Sequence, residues 1–543
     1  MVDFNAPPLK NVLPILSRGL KVDELPRPRA LKDDAEKFLR KRTIAEVFTP
    51  SHVVKQMIDA LDDERIDSTW LEIACGEAPF ITNRYDAESG DIIARDQRTG
   101  ILDRKLRLMP ANADKFTWAS RIVQSVYGYE LQGDSLLIAR ANVLLTVAEF
   151  VEDITAAELE ELAEIISRNF GRIDILNPPS AQLSLFEATD WNTGDEFFLG
   201  GTDMKFDYVI GNPPYQEEKD DNARQPPVYD KFMEAAYKVG VKVELITPAR
   251  FLFNAGQTTK DFNQRMLSDP HLKVIDYAPK ATKYFKGVDI KGGVAITLRD
   301  ETKYFGAIGT FIPFDELKTI HQKVVVDNPN FRPLSEIIYT PIAYKLSEKF
   351  FSERPELLSK LQKPDDNALR TNIFDRVPEL FFTTKPDDGH EYAKILGLIK
   401  NNRVYRWIRR DYVNAPALLD KWKILIPKAN GSGALGEVVS TPLVGSPLVG
   451  ATQTFMSVGA FDTQAEADSC IAYIRSKFCR VMLGILKVTQ DNPPATWAKV
   501  PLQDFTASSD IDWGGDVDKQ LYAKYGLTAA EINFIERHVK AMN

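Results

Sequence analysis

The stretch FDYVIGNPPYQ, residues 206–216, decides the fold and raises the first question about the site. An apolar run typical of a buried strand leads directly into a glycine, an asparagine, two prolines and an aromatic residue. Paired prolines fix φ twice and remove two backbone donors, so the turn is stiff and its carbonyl groups remain available as acceptors. The pattern predicts a buried strand that ends in a rigid, polar loop.

Strand and helix patterns alternate on both sides of this stretch. The predicted strands are WLEIACG, SVYGYELQGD, GRIDIL, FDYVIG, VKVELITP, LKVIDYA and KGGVAITLRD, and the predicted helices are LLIARANVLLTVAEFV, ELEELAEIISRNF and PVYDKFMEAAYKVG. This alternation predicts an α/β fold of the Rossmann-like type, a mostly parallel sheet with right-handed crossovers and helices on both faces. Ligands bind beyond the carboxyl ends of such strands, which is where CGEA, YELQGD and GNPPY lie.

The alternation is lost after about residue 305. Helical patterns (ELLSKLQK and AEADSCIAYIRSKFCRVMLG) there mix with a short strand pattern (KWKILIPKA) and glycine-rich turns. A chain of 543 residues is also too long for one ordinary core. We therefore predict an arm over 1–45, an α/β domain over 46–305 and a mixed α+β domain over 306–543.

Composition indicates a folded protein of the cytoplasm. The net charge is −9, so a general coating of polyanions is not expected, although a local basic groove can still bind nucleic acid. The three cysteines form no disulfide framework, and the five histidines show no metal-ligand spacing, so no metal site is expected. No apolar run approaches the ~20 residues of a membrane span, and we expect no membrane association.

The NPPY loop, residues 212–215, suits the recognition of an exocyclic amino group. The side-chain oxygen of Asn212 and the carbonyl of Pro213 can accept both hydrogens of one NH2 group, which directs the nitrogen lone pair toward an electrophile. Tyr215 offers a flat face on which an aromatic base can stack, worth ~1–3 kcal/mol. The amino group of adenine fits this geometry. The other NPP triplets, at Asn177 and Asn492, lack either the aromatic residue or the preceding strand and are interpreted as ordinary proline-stiffened loops.

In its motifs and their order, the sequence resembles the Eco57I-type restriction-modification methylases, a family of N6-adenine DNA methyltransferases. The likeness covers residues 44–298 and extends more loosely to the carboxyl terminus. The opening motif matches Phe48, Thr49 and Pro50, and the cofactor loop matches Glu72, Ala74, Cys75, Gly76 and Phe80. The acids that end the second and third strands match Glu130 and Asp174. The catalytic motif matches Asn212, Pro213, Pro214 and Tyr215, and a late aromatic residue matches Phe285.

The resemblance implies S-adenosylmethionine as cofactor. It assigns Thr49 and Glu72 to the methionine end, Glu130 to the ribose hydroxyls and Asp174 to the cofactor adenine, with Phe48, Pro50, Ala74, Cys75 and Asn212 also in the cofactor site. Gly76 permits the tight turn, and Phe285 is expected to contact the second face of the target base. The chain departs from many members at Ala78, where they have a second glycine, which puts a close backbone approach there in doubt.

A second candidate site lies in the carboxyl-terminal domain, which we expect to recognise the DNA target. The segment NNRVYRWIRRDYVN, residues 401–414, carries basic and aromatic residues that suit DNA contacts, namely Arg403, Arg406, Trp407, Arg409 and Arg410. A solvated charged face is the alternative interpretation.

The resulting expectation is a sequence-specific DNA adenine-N6 methyltransferase that acts on a flipped-out base of double-stranded DNA. A separate restriction or defence subunit is a candidate partner. The alternatives are an adenine-N6 methyltransferase of RNA, a protein-glutamine methyltransferase, and a degenerate methylase that serves as a DNA-specificity subunit.

Overall fold

The computed structural model separates into two compact units, Met1–Thr310 and Phe311–Asn543. It describes residues 2–542 except 23, 44–46, 62–64, 87–88, 175, 177–185, 190–195, 200–204, 217–225, 289, 362–365, 416–417, 432 and 440, and the side chains of 41–43, 186–189 and 196–199 are also not described. Asn177 and the first residue of the family likeness, Ile44, lie outside the described residues. Within the described part of the chain, no helix is both long and apolar enough to cross a membrane.

The first unit is built on a seven-stranded sheet in the order β3-β2-β1-β6-β7-β9-β8. Its strands are β1 Trp70–Ile73, β2 Val126–Tyr129, β3 Phe170–Gly171, β6 Phe206–Gly211, β7 Gly240–Pro248, β8 Leu272–Ala278 and β9 Val294–Asp300. A separate two-stranded pair consists of β4 Phe186–Thr189 and β5 Glu196–Leu199. Neighbouring strands are parallel from β3 through β2, β1 and β6 to β7, whereas β9 runs antiparallel to both β7 and β8. The predicted α/β fold with a mostly parallel sheet is therefore confirmed.

Helices cover this sheet. They are α1 Pro7–Lys10, α2 Leu13–Leu16, α3 Asp34–Thr43, α4 Ser51–Leu61, α5 Ile101–Arg107, α6 Lys115–Gln124, α7 Gly133–Phe150, α8 Ala156–Asn169, α9 Tyr229–Val239 and α10 Lys260–Ser268. Helix α7 is buried over most of its length, which explains why its sequence is apolar on nearly every side. Helix α8 begins at a capping box in which Thr155 and Glu158 exchange hydrogen bonds.

The predicted strand GRIDIL is shorter in the structure. Only Phe170–Gly171 pairs with β2, because β2 itself ends at Tyr129 and offers no further partner to an edge strand. Asp174 therefore lies in the loop after β3 rather than at the end of a longer strand.

The second unit is a mixed α+β structure, as predicted. Its strands are β10 Ile338–Tyr339, β11 Lys345–Leu346, β12 Tyr392–Ile399, β13 Asn402–Arg409, β14 Val413–Asn414, β15 Trp422–Pro427, β16 Leu443–Gly445, β17 Val449–Ala451 and β18 Phe455–Phe461. They form sheets in the orders β10-β18-β15-β16, β13-β12-β17 and β11-β14. The helices are α11 Asp315–His321, α12 Glu348–Glu353, α13 Ile373–Arg376, α14 Gln464–Arg475, α15 Lys477–Leu483, α16 Val517–Lys524 and α17 Ala529–His538.

Two helix predictions for this unit need correction. The pattern AEADSCIAYIRSKFCRVMLG predicts one helix, but the chain forms α14 and α15 with a break at Ser476. Ser476 is extended (φ −59°, ψ 149°), and its hydroxyl accepts a hydrogen bond from the Cys479 amide, so it caps a new helix. The pattern ELLSKLQK forms a 3₁₀ helix, Pro355–Lys360, instead of an α-helix.

Candidate functional site

A cavity of about 370 Å³ lies at the carboxyl ends of β1, β2, β3, β6 and β7. This is the edge of the sheet at which the sequence predicts a ligand site. The structure brings together at this cavity Phe48, Thr49, Glu72, Ala74, Cys75, Gly76, Glu130, Asp174, Asn212, Pro213, Pro214 and Tyr215. Two of the predicted residues of the first unit, Pro50 and Phe285, are not among the lining residues.

The side chain of Asn212 is oriented by a single hydrogen bond. Its side-chain Nδ2 donates a hydrogen bond to the carbonyl of Val47 at 3.1 Å, which fixes the amide orientation. Its Oδ1 atom is buried and has no hydrogen-bond partner among the described residues. A buried acceptor without a partner costs ~1–3 kcal/mol, so this oxygen favours a ligand that donates a hydrogen bond.

Tyr215 also lines the cavity and packs partly against the apolar core. Its hydroxyl is buried without a partner in the described part of the chain, and burial raises the pKa of the phenol. The hydroxyl therefore remains protonated, and the ring is the part of Tyr215 that suits a ligand.

Three residues of the cofactor loop, which follows β1, have backbone angles in the left-handed region. Ala74, Gly76 and Ala78 have φ values of 51°, 54° and 60°. A Cβ atom added at Gly76 would lie 3.2 Å from Cε1 of Phe48, so the position requires glycine for both its backbone angle and its space. Ala78 is fully buried and keeps the left-handed angle without being glycine.

Glu130 holds this turn in place. Its Oε2 accepts a hydrogen bond from the Gly76 amide at 2.8 Å, and its Oε1 accepts one from the Gln132 amide at 2.8 Å. The amide of Cys75 donates to the carbonyl of Tyr129 at 2.8 Å. The carboxylate after β2 thus fixes the backbone after β1, and Glu130 borders the cavity. Its role as a ribose acceptor stays a prediction.

Glu72 is placed more deeply than its predicted role suggests. The side chain is 2% exposed, and its Oε2 accepts hydrogen bonds from the amides of Phe80 (3.1 Å) and Ile81 (3.0 Å). Burial raises the pKa of Glu72 well above its ordinary value, and Glu130 adds to this, while the two amides oppose it. Glu72 lines the cavity, but its carboxyl group also anchors the turn that follows the cofactor loop.

Asp174 borders the cavity beyond β3. Its Oδ1 accepts a hydrogen bond from the Leu176 amide at 3.0 Å. Thr49, on the other side, is 3% exposed and immediately precedes Pro50, whose carbonyl accepts the amides of Val53 and Val54 at the start of α4. Pro50 thus shapes the helix start and does not reach the cavity.

Phe285 lies in the apolar core rather than in the cavity. Its ring is 2% exposed and packs edge-on against Tyr284, with centroids 6.3 Å apart. Its amide donates to the carbonyl of Ala281 at 2.9 Å, at the end of a 3₁₀ turn. A stacking role for this ring would require it to leave the core.

Two of the arginines in residues 401–414 form ion pairs within the second unit. The guanidinium of Arg409 pairs with Asp411 (2.7 Å) and Glu353 (3.1 Å), and Arg410 pairs with Asp420 (2.8 Å). These pairs favour a structural role for two of the predicted DNA contacts.

The other two arginines of that segment donate hydrogen bonds to backbone carbonyl groups. Arg403 is exposed and donates to the carbonyl of Thr441 at 2.9 Å, and Arg406 donates to the carbonyl of Tyr405 at 3.0 Å. The ammonium of Lys394 lies 5.4 Å from the ring centre of Trp407.

Several cavity residues escaped the sequence analysis. Val47 supplies only a backbone carbonyl, which no sequence signal marks. Tyr229 and Phe232, on α9, also line the cavity, as does Arg250. Arg250 follows the end of β7 in VKVELITPAR, so the strand-end rule that identified Glu130 and Asn212 also applies to it.

Comparison with solved structures gives distant similarities that include several restriction-modification enzymes. A nuclease-deletion mutant of the Type ISP restriction-modification enzyme LlaGI, in complex with a DNA substrate mimic, is 12% identical, with a TM-score of 0.41, over 94% of this chain and 49% of that chain. The Type IIL enzyme MmeI in complex with DNA is 10% identical, with a TM-score of 0.42, over 93% of this chain and 80% of that chain. The 23S rRNA methyltransferase ErmE is 11% identical, with a TM-score of 0.22, over 52% of this chain and 80% of that chain.

The chain spans about half the length of LlaGI and 39% of the related Type ISP enzyme LlaBIII. No curated protein gives a significant sequence match. A family model matches the segment that contains Glu130, Asp174 and the NPPY loop. Residues 124–285 match the family model of the Eco57I restriction-modification methylase, the family that the motifs of this sequence resemble.

Proposed function

We propose that the protein is a DNA adenine-N6 methyltransferase that uses S-adenosylmethionine and acts as the modification component of a restriction-modification or related defence system. One observation carries the proposal. Asn212, whose buried Oδ1 has no partner among the described residues, lines the same cavity as Gly76, Glu130 and Asp174. The cavity therefore combines an acceptor for an amino group with the residues expected to hold the cofactor.

The residues on the β1 to β3 side fit S-adenosylmethionine. Gly76 leaves room for a close backbone approach, and the carboxylates of Glu130 and Asp174 are acceptors for ribose hydroxyls and an adenine amine. When bound, this cofactor supplies a methyl group on a positively charged sulfur, already activated for transfer.

The NPPY loop would hold the target. The Asn212 Oδ1 and the Pro213 carbonyl accept the two hydrogens of the adenine N6 amine, and the Val47 carbonyl keeps the amide from rotating. The ring of Tyr215 stacks on the base. A base inside a duplex cannot reach this position, so the adenine must be flipped out at a cost of a few kcal/mol.

Catalysis in this arrangement depends mainly on positioning. Holding the amine in line with the methyl donor and excluding water can supply ~7–11 kcal/mol of the barrier. The amine loses its proton after the methyl group has been transferred, so no strong general base is required. The protonated Tyr215 and the partly buried loop are consistent with a site that orients rather than ionises its substrate.

The second unit is the proposed target-recognition domain. Its mixed α+β structure carries Arg403, Arg406 and Trp407 on or beside β13, where they suit contacts to phosphates or base edges. Double-stranded DNA is the proposed partner, with any cleavage supplied by a separate subunit. An adenine-N6 methyltransferase of RNA, a protein-glutamine methyltransferase and a degenerate specificity subunit remain the competing functions.

Tritiated methyl transfer to DNA, RNA and protein, each from cells that do not express the chain, tests the proposal. We expect transfer to DNA alone. Long-read sequencing of DNA from expressing cells then gives the modified base and its sequence context.

Asn212→Ala is expected to lower kcat about 100- to 1000-fold, the effect of removing one preorganised hydrogen-bonding group, and to lower cofactor affinity far less. Tyr215→Phe is the matched control, because the Tyr215 hydroxyl has no partner among the described residues. It should retain activity, whereas Tyr215→Ala should lose it. Equal losses in Tyr215→Phe and Asn212→Ala would contradict the assigned roles.

A further inference from the structure

Arg250 is a cationic residue of the cavity to which the proposed mechanism gives no role. It lies in the 3₁₀ turn Ala249–Phe253, directly after β7, and borders the same cavity as Asn212 and Tyr215. Guanidinium groups present planar, forked donors that match phosphate oxygens, so this position suits an anionic ligand.

The side chain of Arg250 is held in place along its stem. Its Nε donates a hydrogen bond to the carbonyl of Lys291. A Cβ atom at Gly292 would lie 2.7 Å from Arg250 Cγ, and one at Gly256 would lie 3.0 Å from Arg250 Cβ. Both glycines have left-handed backbone angles, φ 85° and 95°. The two glycines thus leave room for the stem to lie against the backbone.

The donors at the end of the side chain remain available. Among the residues that the structure describes, the only hydrogen bond of the Arg250 side chain is the one from Nε, and the side chain forms no ion pair there. Arg409, in contrast, is neutralised by Asp411 and Glu353. The two terminal nitrogens of Arg250 therefore retain donors for a ligand.

The order of strands places Arg250 on the target side of the cavity. The cofactor residues follow β1, β2 and β3, Asn212 follows β6, and Arg250 follows β7, with β6 between β1 and β7. An anion bound to Arg250 would thus lie on the opposite side of the NPPY loop from β1, β2 and β3. The target nucleotide must enter on this side.

The loop beside Arg250 strengthens the local positive charge. Lys280, Lys286 and Lys291 are exposed on the segment between β8 and β9, whose residues Val288 and Ile290 line the cavity. Residues 279–293 carry four lysines and one acid, Asp289, whereas the net charge of the chain is −9.

We propose that Arg250 binds a phosphodiester of the DNA strand that carries the flipped adenine, and that the adjacent lysine loop supports this contact. The inference rests on the proposed function, because it assumes a nucleic-acid substrate. Arg250 is a binding residue in this proposal and takes no part in proton or methyl transfer.

Two measurements on the full chain test Arg250→Ala against Arg250→Lys, with Arg168→Ala on the exposed side of α8 as control. The first is steady-state methyl transfer to genomic DNA from cells that lack the protein, with KM determined separately for DNA and for S-adenosylmethionine. The second is the binding of a fluorescein-labelled duplex of about 30 base pairs as a function of salt.

We expect Arg250→Ala to raise the KM for DNA about tenfold, the effect of losing one charge-assisted hydrogen-bonded contact, with the KM for S-adenosylmethionine unchanged. The slope of log K against log salt should fall in magnitude by about 0.9, the value for one phosphate. Arg250→Lys should keep the slope, since it keeps the charge, and Arg168→Ala should behave as the unsubstituted protein.

An unchanged DNA KM and salt slope in Arg250→Ala would overturn the inference. So would a loss of cofactor affinity with DNA binding intact, because it would place the anion at the cofactor. Failure of the unsubstituted protein to methylate DNA would instead refute the proposed function, and the duplex-binding measurement would still decide whether Arg250 contacts phosphate.

Discussion

Replacement of Gly76 by alanine is expected to weaken both the fold and the cofactor site. The left-handed backbone at this residue, φ 54°, costs an L-residue ~1–2 kcal/mol. The new Cβ atom would also lie 3.2 Å from Cε1 and 3.4 Å from Cζ of Phe48, so the Phe48 ring must move by a few tenths of an ångström. Phe48 borders the cavity and follows Val47, whose carbonyl holds the amide of Asn212.

Gly309→Ala separates these two effects. Gly309 has a similar backbone angle, φ 61°, but is exposed and has no atom within 4 Å of an added Cβ. Urea unfolding should show a loss of ~1–2 kcal/mol in both variants. Calorimetric titration with S-adenosylmethionine should show roughly tenfold weaker binding in Gly76→Ala alone, which corresponds to ~1.4 kcal/mol.

The reasoning would be refuted if Gly76→Ala bound the cofactor as tightly as the unsubstituted protein. It would also fail if Gly309→Ala lost as much affinity as Gly76→Ala, because the contact with Phe48 would then be irrelevant. A Gly76→Ala variant as stable as the unsubstituted protein would show that the left-handed angle is relieved by local rearrangement.

Three further predictions concern buried and paired groups. Burial raises the pKa of Glu244 well above its ordinary value. The folded state therefore keeps a proton that the unfolded state releases above about pH 4.3. As a result, the free energy of unfolding falls as the pH rises beyond that value. Glu244→Gln should therefore be more stable than the unsubstituted protein at pH 8, with the gain shrinking toward pH 4 in urea unfolding. Burial also raises the pKa of the Cys75 thiol, so iodoacetamide should label Cys75 only after unfolding, and rapid labelling of the folded protein would contradict this. Arg409 lowers the pKa of Asp411 to about 2. The stability that this pair contributes is therefore present above about pH 4 and is lost as the pH falls through 2. Asp411→Asn should remove this acid dependence from the unfolding profile.

The strand ends and the residues they carry could be predicted because both depend on local sequence. Apolar runs such as FDYVIG and WLEI form β6 and β1, and the turn residues after them reach the cavity. The orientation of Asn212 could not be predicted. It depends on a carbonyl at Val47, 165 residues away, and every residue has a carbonyl. Phe285 shows the same limit, since an aromatic residue in a loop suits a core as well as a ligand.

The arginines of residues 401–414 differ in their surroundings because of strand geometry. Alternate residues of β13 face opposite sides of the sheet, so Arg406 lies on the side of the buried Ile408, whereas Arg403 and Arg409 lie on the other. Arg409 also meets Glu353, a residue far away in the sequence. A count of nearby arginines therefore overstates the charge available to a ligand, because tertiary contacts decide which of them remain available.

The cofactor loop shows why one of its small residues must be glycine while others need not be. Ala74 and Ala78 adopt left-handed angles at a cost of ~1–2 kcal/mol each, which neighbouring hydrogen bonds sustain. The Ala78 amide donates to the carbonyl of Cys75 at 2.7 Å, and the Ala78 carbonyl accepts the amide of Thr82 at 2.9 Å. The backbone angle alone thus does not demand glycine here. At Gly76 an added Cβ would also crowd the Phe48 ring at 3.2 Å, so the packing and the backbone angle together favour glycine.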